Sequence, residues 1–211
     1  MTISPEFVVP LFSLLLAFGL IGLNGFFVAA EFAIVKVRRT RLEELVGQGL
    51  AAARISILCV DELDEYLSAT QLGITLASLA LGWIGETAFA NLLLLIFPQT
   101  FPNSAAGHHV VAVGISFFLV TMLHVVLGEL VPKSMAIQNA EKITLVVSRP
   151  LRWFYFASRP LIHTFTALAN FILRRIGYHG LSEPPLTETE LKLVMKESKE
   201  DGVDRKSTRL N

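Results

Sequence analysis

The stretch FVVPLFSLLLAFGLIGLNGFFVAAEFAIVKVRRTR, residues 7–41, decides the fold. Between Phe7 and Val35 its strongly polar side chains are Asn24 and Glu31. About 20 apolar residues are enough to cross roughly 30 Å of hydrocarbon, so this is a transmembrane helix. Nothing basic precedes it, and it runs past the length of a signal-peptide core, so it reads as a retained span. Lys36, Arg38, Arg39 and Arg41 follow at once. By the positive-inside tendency they place this end in the cytoplasm and the N-terminus outside.

Composition agrees with a lipid solvent. Of the 211 residues 53% are hydrophobic and 17% charged, and the mean hydropathy is +0.57, values foreign to a soluble domain of this size. The formal net charge is zero. The uneven placement of the charges sets orientation and points to no nucleic-acid partner. Cys59 is the single cysteine, which excludes an intrachain disulfide framework and a multi-thiolate metal site. Any metal would be held by oxygen or nitrogen.

Outward from the first span, Arg41 to Glu65 turns amphipathic, with Leu42, Leu45, Leu58 and Leu63 among Glu43, Glu44, Arg54, Asp61 and Asp64. These residues predict cytoplasmic juxtamembrane helices. Tyr66 to Phe97 is too long for one straight span and carries Gly82, Gly85 and Glu86, so a span followed by a break is expected. The segment from Pro98 to His109 has turn formers and no Lys or Arg, as an external loop would. Val110 to Val131 returns inward as a third span.

Beyond Lys133 the apolar chain is interrupted by Lys142, Arg149, Arg152, Arg159, Arg174 and Arg175, with no gap long enough to cross. With Trp153, Tyr155 and Phe156 among them, these residues suit interfacial helices, and the two SRPL repeats put Pro150 and Pro160 near two helix starts. The expected class is an all-α membrane protein: a three-span domain over residues 1–140 and interfacial juxtamembrane helices over 141–180. An acidic linker helix, with Thr187 as N-cap and Glu190 completing a capping box, is expected over 181–203. Residues 204–211 read as a truncation or a foreign tail.

Ionisable groups inside a span cost about 2.5–3.5 kcal/mol each on insertion scales, so Glu31, His124 and Glu129 need a reason. In HVVLGELVPKSMA, residues 124–136, Pro132 has no N–H and its ring clashes with the carbonyl four residues back, so it should free the Gly128 carbonyl. That oxygen must find another partner. A freed carbonyl beside the Glu129 carboxylate supplies hard oxygen donors of the kind that suit Mg²⁺, Ca²⁺ or Na⁺. Alternatively Pro132 only kinks the helix while Glu129 and Lys133 pair at i,i+4.

In the second span Ser68, Gln71, Thr75 and Ser78, prolonged by Gly82 and Gly85, form a stripe of small and polar residues that fits helix packing or ligation. Asn24 and Glu31 lie two turns apart on one face of the first span, and Glu31 can instead pair with Lys36 or Arg38. His124 suits an interhelical hydrogen bond, a softer ligand or a proton acceptor. His108 and His109, adjacent in the outer loop, are weak evidence for metal.

The segments LNGFFVAAEFAIVKVRRTRLEEL (23–45), YLSATQLGITLASLALGWIGE (66–86) and VLGELVPKSMA (126–136) resemble the transmembrane domain of the CorC/CNNM magnesium transporters, in the same order. The resemblance implies a homodimer with three spans per protomer in the cell membrane, a Mg²⁺ site facing the cytoplasm, and Mg²⁺ export coupled to inward movement of Na⁺. It also implies a following pair of CBS domains, through which ATP would act. On this pattern Glu129 and the Gly128 carbonyl are ligands, with Ser78 where many relatives have Asn. Where many relatives read F-S-A-S-E, this chain has Phe27, Val28, Ala29, Ala30 and Glu31, so both hydroxyls are missing. Asn24 and Glu31 then stand behind the ligands or at a Na⁺ site, and Thr75 can serve either.

The leading expectation is therefore a Mg²⁺-exporting secondary transporter. The alternative is a membrane module that senses Mg²⁺ without transporting it. A lytic toxin fits poorly with spans bearing small polar faces. No nucleophile–base pair or glycine-rich phosphate loop suggests an enzyme.

Overall fold

The computed structural model of the protein describes residues 5–96 and 105–177, and among these every regular element is helical. In chain order they are α1 (Pro5–Lys36), α2 (Arg39–Gly47), α3 (Ala51–Asp61), α4 (Leu63–Ile96), α5 (Ala105–Leu123), a π-helical segment (His124–Leu130), α6 (Val131–Gln138) and α7 (Ala140–Arg175). Three stretches are long and apolar enough to cross a membrane: Leu11–Lys36, Leu63–Leu93 and Val113–Gln138. The chain is a multi-pass membrane protein, and its solvent is the lipid bilayer. It divides into two compact units, Met1–Ile162 and His163–Asn211, and the described part of the second is the end of α7 and the turn to Gly177. The expected linker helix and tail lie outside the described residues, as does most of the expected outer loop. Residues 105–109 of that loop instead begin α5.

The first span and the juxtamembrane helices α2 and α3 lie where the sequence places them. Two expectations are corrected. The second span does not break: α4 runs unbroken through Gly82, Gly85 and Glu86. It contains no proline, and Gly85 lies where an added Cβ would come within 3.1 Å of Val120, so this glycine serves close packing against α5. The third span is present, with π geometry replacing α before Pro132. The two SRPL prolines do not start helices but lie inside the single helix α7. Proline costs an interior helix about 3 kcal/mol. Val147, Leu151, Tyr155 and Ile162, packed with residues of α1 and α4 in one buried cluster, brace α7 on both sides of each proline.

The stripe on α4 is also offset from the sequence reading. Gln71, Thr75 and Gly82 are exposed, whereas Tyr66, Thr70, Gly73, Ala77 and Leu81 are buried. At Gly73 an added Cβ would lie 2.6 Å from the Phe27 ring. That ring is 3% exposed and wedged between Phe26 and Phe154, with centroids at 5.2 and 4.7 Å. Gly73→Ala is therefore expected to destabilise the protein by about 1–3 kcal/mol, as overpacking does, despite alanine's higher helix propensity. Gly114→Ala, with nothing within 4 Å of the new methyl, should be neutral or mildly stabilising. Thermal unfolding of the two purified variants beside wild type checks the contrast, and equal behaviour would refute it.

At the other end of the α-helical hairpin α2–α3, Arg41 Nε bonds Glu141 Oε2 at 3.0 Å and ties α2 to the first turn of α7. Cys59 is buried in α3, and burial pushes its thiol pKa up, so it behaves as a small packed side chain.

Candidate functional site

The site begins with a missing hydrogen bond. Pro132 cannot donate to Gly128 O, and the backbone before it widens into a π segment in which Val131 N–H reaches back five residues to Val126 O. Gly128 O thus lacks its α-helical donor, and a partner comes from another helix. Asn24 Nδ2 in α1 donates to it at 2.9 Å. Asn24 is 2% exposed. The glycine is needed here, since a Cβ on residue 128 would lie 2.9 Å from His124 Cδ2 and 3.3 Å from Asn24 Nδ2.

The rest of the network follows from the donors available. Ser78 Oγ in α4 donates to Asn24 Oδ1 at 3.2 Å. Ser78 Oγ also lies 3.3 Å from His124 Nε2. A hydroxyl has one proton, so with that proton on Asn24 the histidine must donate, and His124 is the Nε2–H tautomer. The chain of donors runs His124, Ser78, Asn24, Gly128 O, and it joins all three spans at one level. Each oxygen is partly spent: the Gly128 carbonyl and the Ser78 hydroxyl each keep one lone pair for a further partner.

Four of the residues singled out in the sequence are thus brought together: Asn24, Ser78, His124 and Gly128. Others are not. Glu129 is exposed and makes no hydrogen bond or ion pair among the described residues. Lys133 does not pair with it; its Nζ sits 4.5 Å from the centroid of the Phe32 ring, a cation–π contact. Glu31, half-buried, faces the Thr70 hydroxyl and the positive charge of Lys133, and neither Lys36 nor Arg38 is its partner. Thr75 Oγ1 donates to Gln71 O within its own helix at 2.8 Å, and Gln71 is exposed. Among the described residues no three His, Cys, Asp or Glu side chains converge on a common point.

Three participants were missed. Thr70 beside Glu31 carried no signal beyond being one residue off the expected stripe. Phe32 under Lys133 is ordinary in an apolar span. Glu86, which with Gly82 and Gly85 suggests a break, lines a cavity of about 120 Å³ with Ser78, Thr121 and His124. Its spacing of eight from Ser78, two helical turns, was the available clue.

Residues 15–208 match the family described as the cyclin M transmembrane N-terminal domain. The chain belongs to this family. Among related chains, the UPF0053 protein YugS of Bacillus subtilis is 42% identical over 192 residues, covering 90% of this chain and 44% of the relative. The UPF0053 protein YhdT of the same organism is 44% identical over 193 residues, covering 90% of this chain and 41% of the relative. A chloroplastic DUF21 domain-containing protein of Arabidopsis thaliana is 29% identical over 177 residues. The chain spans less than half the length of these relatives. The cyclin M domain is of membrane-transporter type, and the match extends over all three spans and the polar network between them.

Proposed function

We propose that the protein is a secondary transporter that exports Mg²⁺ from the cytoplasm in exchange for Na⁺, working as a homodimer in the cell membrane. Membership of the cyclin M family suggests divalent-cation transport or a related role. The observation that carries the finer reading is the hydrogen bond from Asn24 to the Gly128 carbonyl, which holds non-α backbone open inside a span. Irregular backbone at that depth is tolerated where it serves a cavity or a site, and transporters use such carbonyls for cations.

In this reading Mg²⁺ arrives from the side of Lys36, Arg38 and Arg39, which the positive-inside tendency makes cytoplasmic. It exchanges part of its water for the Glu129 carboxylate and the remaining lone pairs of Gly128 O and Ser78 Oγ. It keeps the rest, since Mg²⁺ dehydrates reluctantly. Glu129 comes inward when the π segment shifts toward α register, because a shift of one residue turns a helix by about 100°. Asn24 positions the carbonyl, Glu31 and Lys133 compensate each other behind it, and Thr75 stands at the edge of the path. ATP acts through CBS domains outside these residues.

The test is Mg²⁺ flux in proteoliposomes with and without an opposing Na⁺ gradient. Flux that depends on the gradient is the expected result. Saturable Mg²⁺ binding with no flux under either condition would put a sensing module in the transporter's place.

A further inference from the structure

We infer that the cavity between α4 and α5 is a separate site for one monovalent metal cation of the Na⁺ type, with the Glu86 carboxylate as its charged ligand. This rests on the proposed Na⁺-coupled transport and assigns a place to the coupling ion.

Ser78, Gly82 and Glu86 follow each other at i, i+4 and i+8 and so share one face of α4. Phe117, Thr121 and His124 share the facing side of α5 and the π segment. Between them is a space of about 120 Å³, room for a cation together with several waters. Gly82 and Thr121 are exposed at its rim, and Glu86 and Ser78 are half-buried. Glu86 lies within the span Leu63–Leu93, and among the described residues it has no hydrogen bond and no ion pair. A carboxylate at that depth is costly unless something neutralises it.

The chemistry of the lining decides which ion. Its oxygen donors are one carboxylate and the hydroxyls of Ser78 and Thr121, hard ligands suited to an alkali or alkaline-earth cation and poorly suited to a soft metal. His124 already directs its Nε2–H at Ser78, so that nitrogen is not a ligand. The lining carries one negative charge. A monovalent ion leaves the site neutral, whereas a dication leaves one positive charge beside a half-buried carboxylate, without the exposure that Glu129 has. Ser78 belongs both to this cavity and to the network that holds Asn24 and Gly128 O. Ser78 Oγ keeps one lone pair, so an ion that takes it from the cavity side withholds it from Mg²⁺, and alternate use of this oxygen links the two sites.

The experiment is equilibrium ²²Na⁺ binding to the detergent-purified protein, competed with unlabelled Na⁺. Wild type is compared with Glu86→Gln, Glu86→Asp and Thr121→Val, and Mg²⁺ binding is measured on each. Saturable Na⁺ binding by wild type is expected, weakened at least tenfold in Glu86→Gln, partly restored in Glu86→Asp and weakened in Thr121→Val, with Mg²⁺ affinity changed less than threefold. Should Glu86→Gln not remain monodisperse, the Asp and Val variants alone decide. Wild-type protein without saturable Na⁺ binding, or variants that bind Na⁺ like wild type, overturns the inference. So does loss of Mg²⁺ rather than Na⁺ binding. Because binding needs no transport, Na⁺ held at Glu86 by a protein that moves no Mg²⁺ would remove the exporter and leave this site standing.

Discussion

Glu129→Gln is expected to lower Mg²⁺ flux at least a hundredfold while leaving the thermal unfolding of the protein where it was. The two halves of this result have separate causes. Glu129 is exposed on the π segment and makes no hydrogen bond or ion pair among the described residues, so folding does not draw on its charge, and glutamine keeps its shape. In transport the same carboxylate is the only full negative charge that the proposed pathway offers next to the Gly128 carbonyl. A unit charge pair about 4 Å apart is worth about 4 kcal/mol at an effective dielectric constant near 20, and a dication doubles it. Loss of half of that exceeds the roughly 2.8 kcal/mol that corresponds to a hundredfold change. Parallel melting curves and liposome flux assays check both halves. Undiminished flux through Glu129→Gln would show that the π segment does not carry the ion, whereas a melting temperature that falls with the flux would show the charge to be structural.

What the sequence discloses and what it hides differ by the range of the interaction. The released Gly128 carbonyl is legible because its cause, a proline four residues on, is local and steric. Its partner is not, because Asn24 lies 104 positions away, and nothing in the apolar run around it says which neighbour it will face. The three spans and the basic boundary at Lys36–Arg41 are legible because lipid imposes them residue by residue. The continuity of α4 through Gly82 and Gly85, and of α7 through Pro150 and Pro160, is not: local preference argues for breaks, and contacts with α5 in one case and with α1 and α4 in the other outweigh it. The same limit displaced the α4 stripe. Ser68, Thr75 and Ser78 advertise polarity, but the buried face is set by what fits Phe27 on α1, and Gly73 supplies that fit. For Glu31 the sequence leaves open the bundle interior or a pair with Lys36 or Arg38, and the fold brings Lys133, 102 positions away.

Asn24→Asp should be at least as damaging as Asn24→Ala, and this ordering tests the network itself. Asn24→Ala removes the donor to Gly128 O and the acceptor for Ser78. Hydrogen bonds between membrane helices average only about 0.6 kcal/mol, because the separated helices find other partners. In α register Gly128 O has no donor from its own helix, since Pro132 lacks the proton that would satisfy it. A buried acceptor left unmet costs about 1–3 kcal/mol, and the cavity left by the shortened side chain adds to it. An apparent melting temperature lower by roughly 5–10 °C is expected, with Mg²⁺ flux reduced more than tenfold. Aspartate nearly restores the shape and the acceptor for Ser78, yet it replaces the Nδ2 donor by an oxygen that faces the Gly128 carbonyl. If shape or the Ser78 bond were what mattered, Asn24→Asp would rescue both stability and flux. If the donor to the released carbonyl matters, Asn24→Asp falls with Asn24→Ala or below it. A wild-type melting curve for Asn24→Asp would therefore mean that the π segment supports itself, and that the bond across to α1 is a consequence of its geometry rather than its cause.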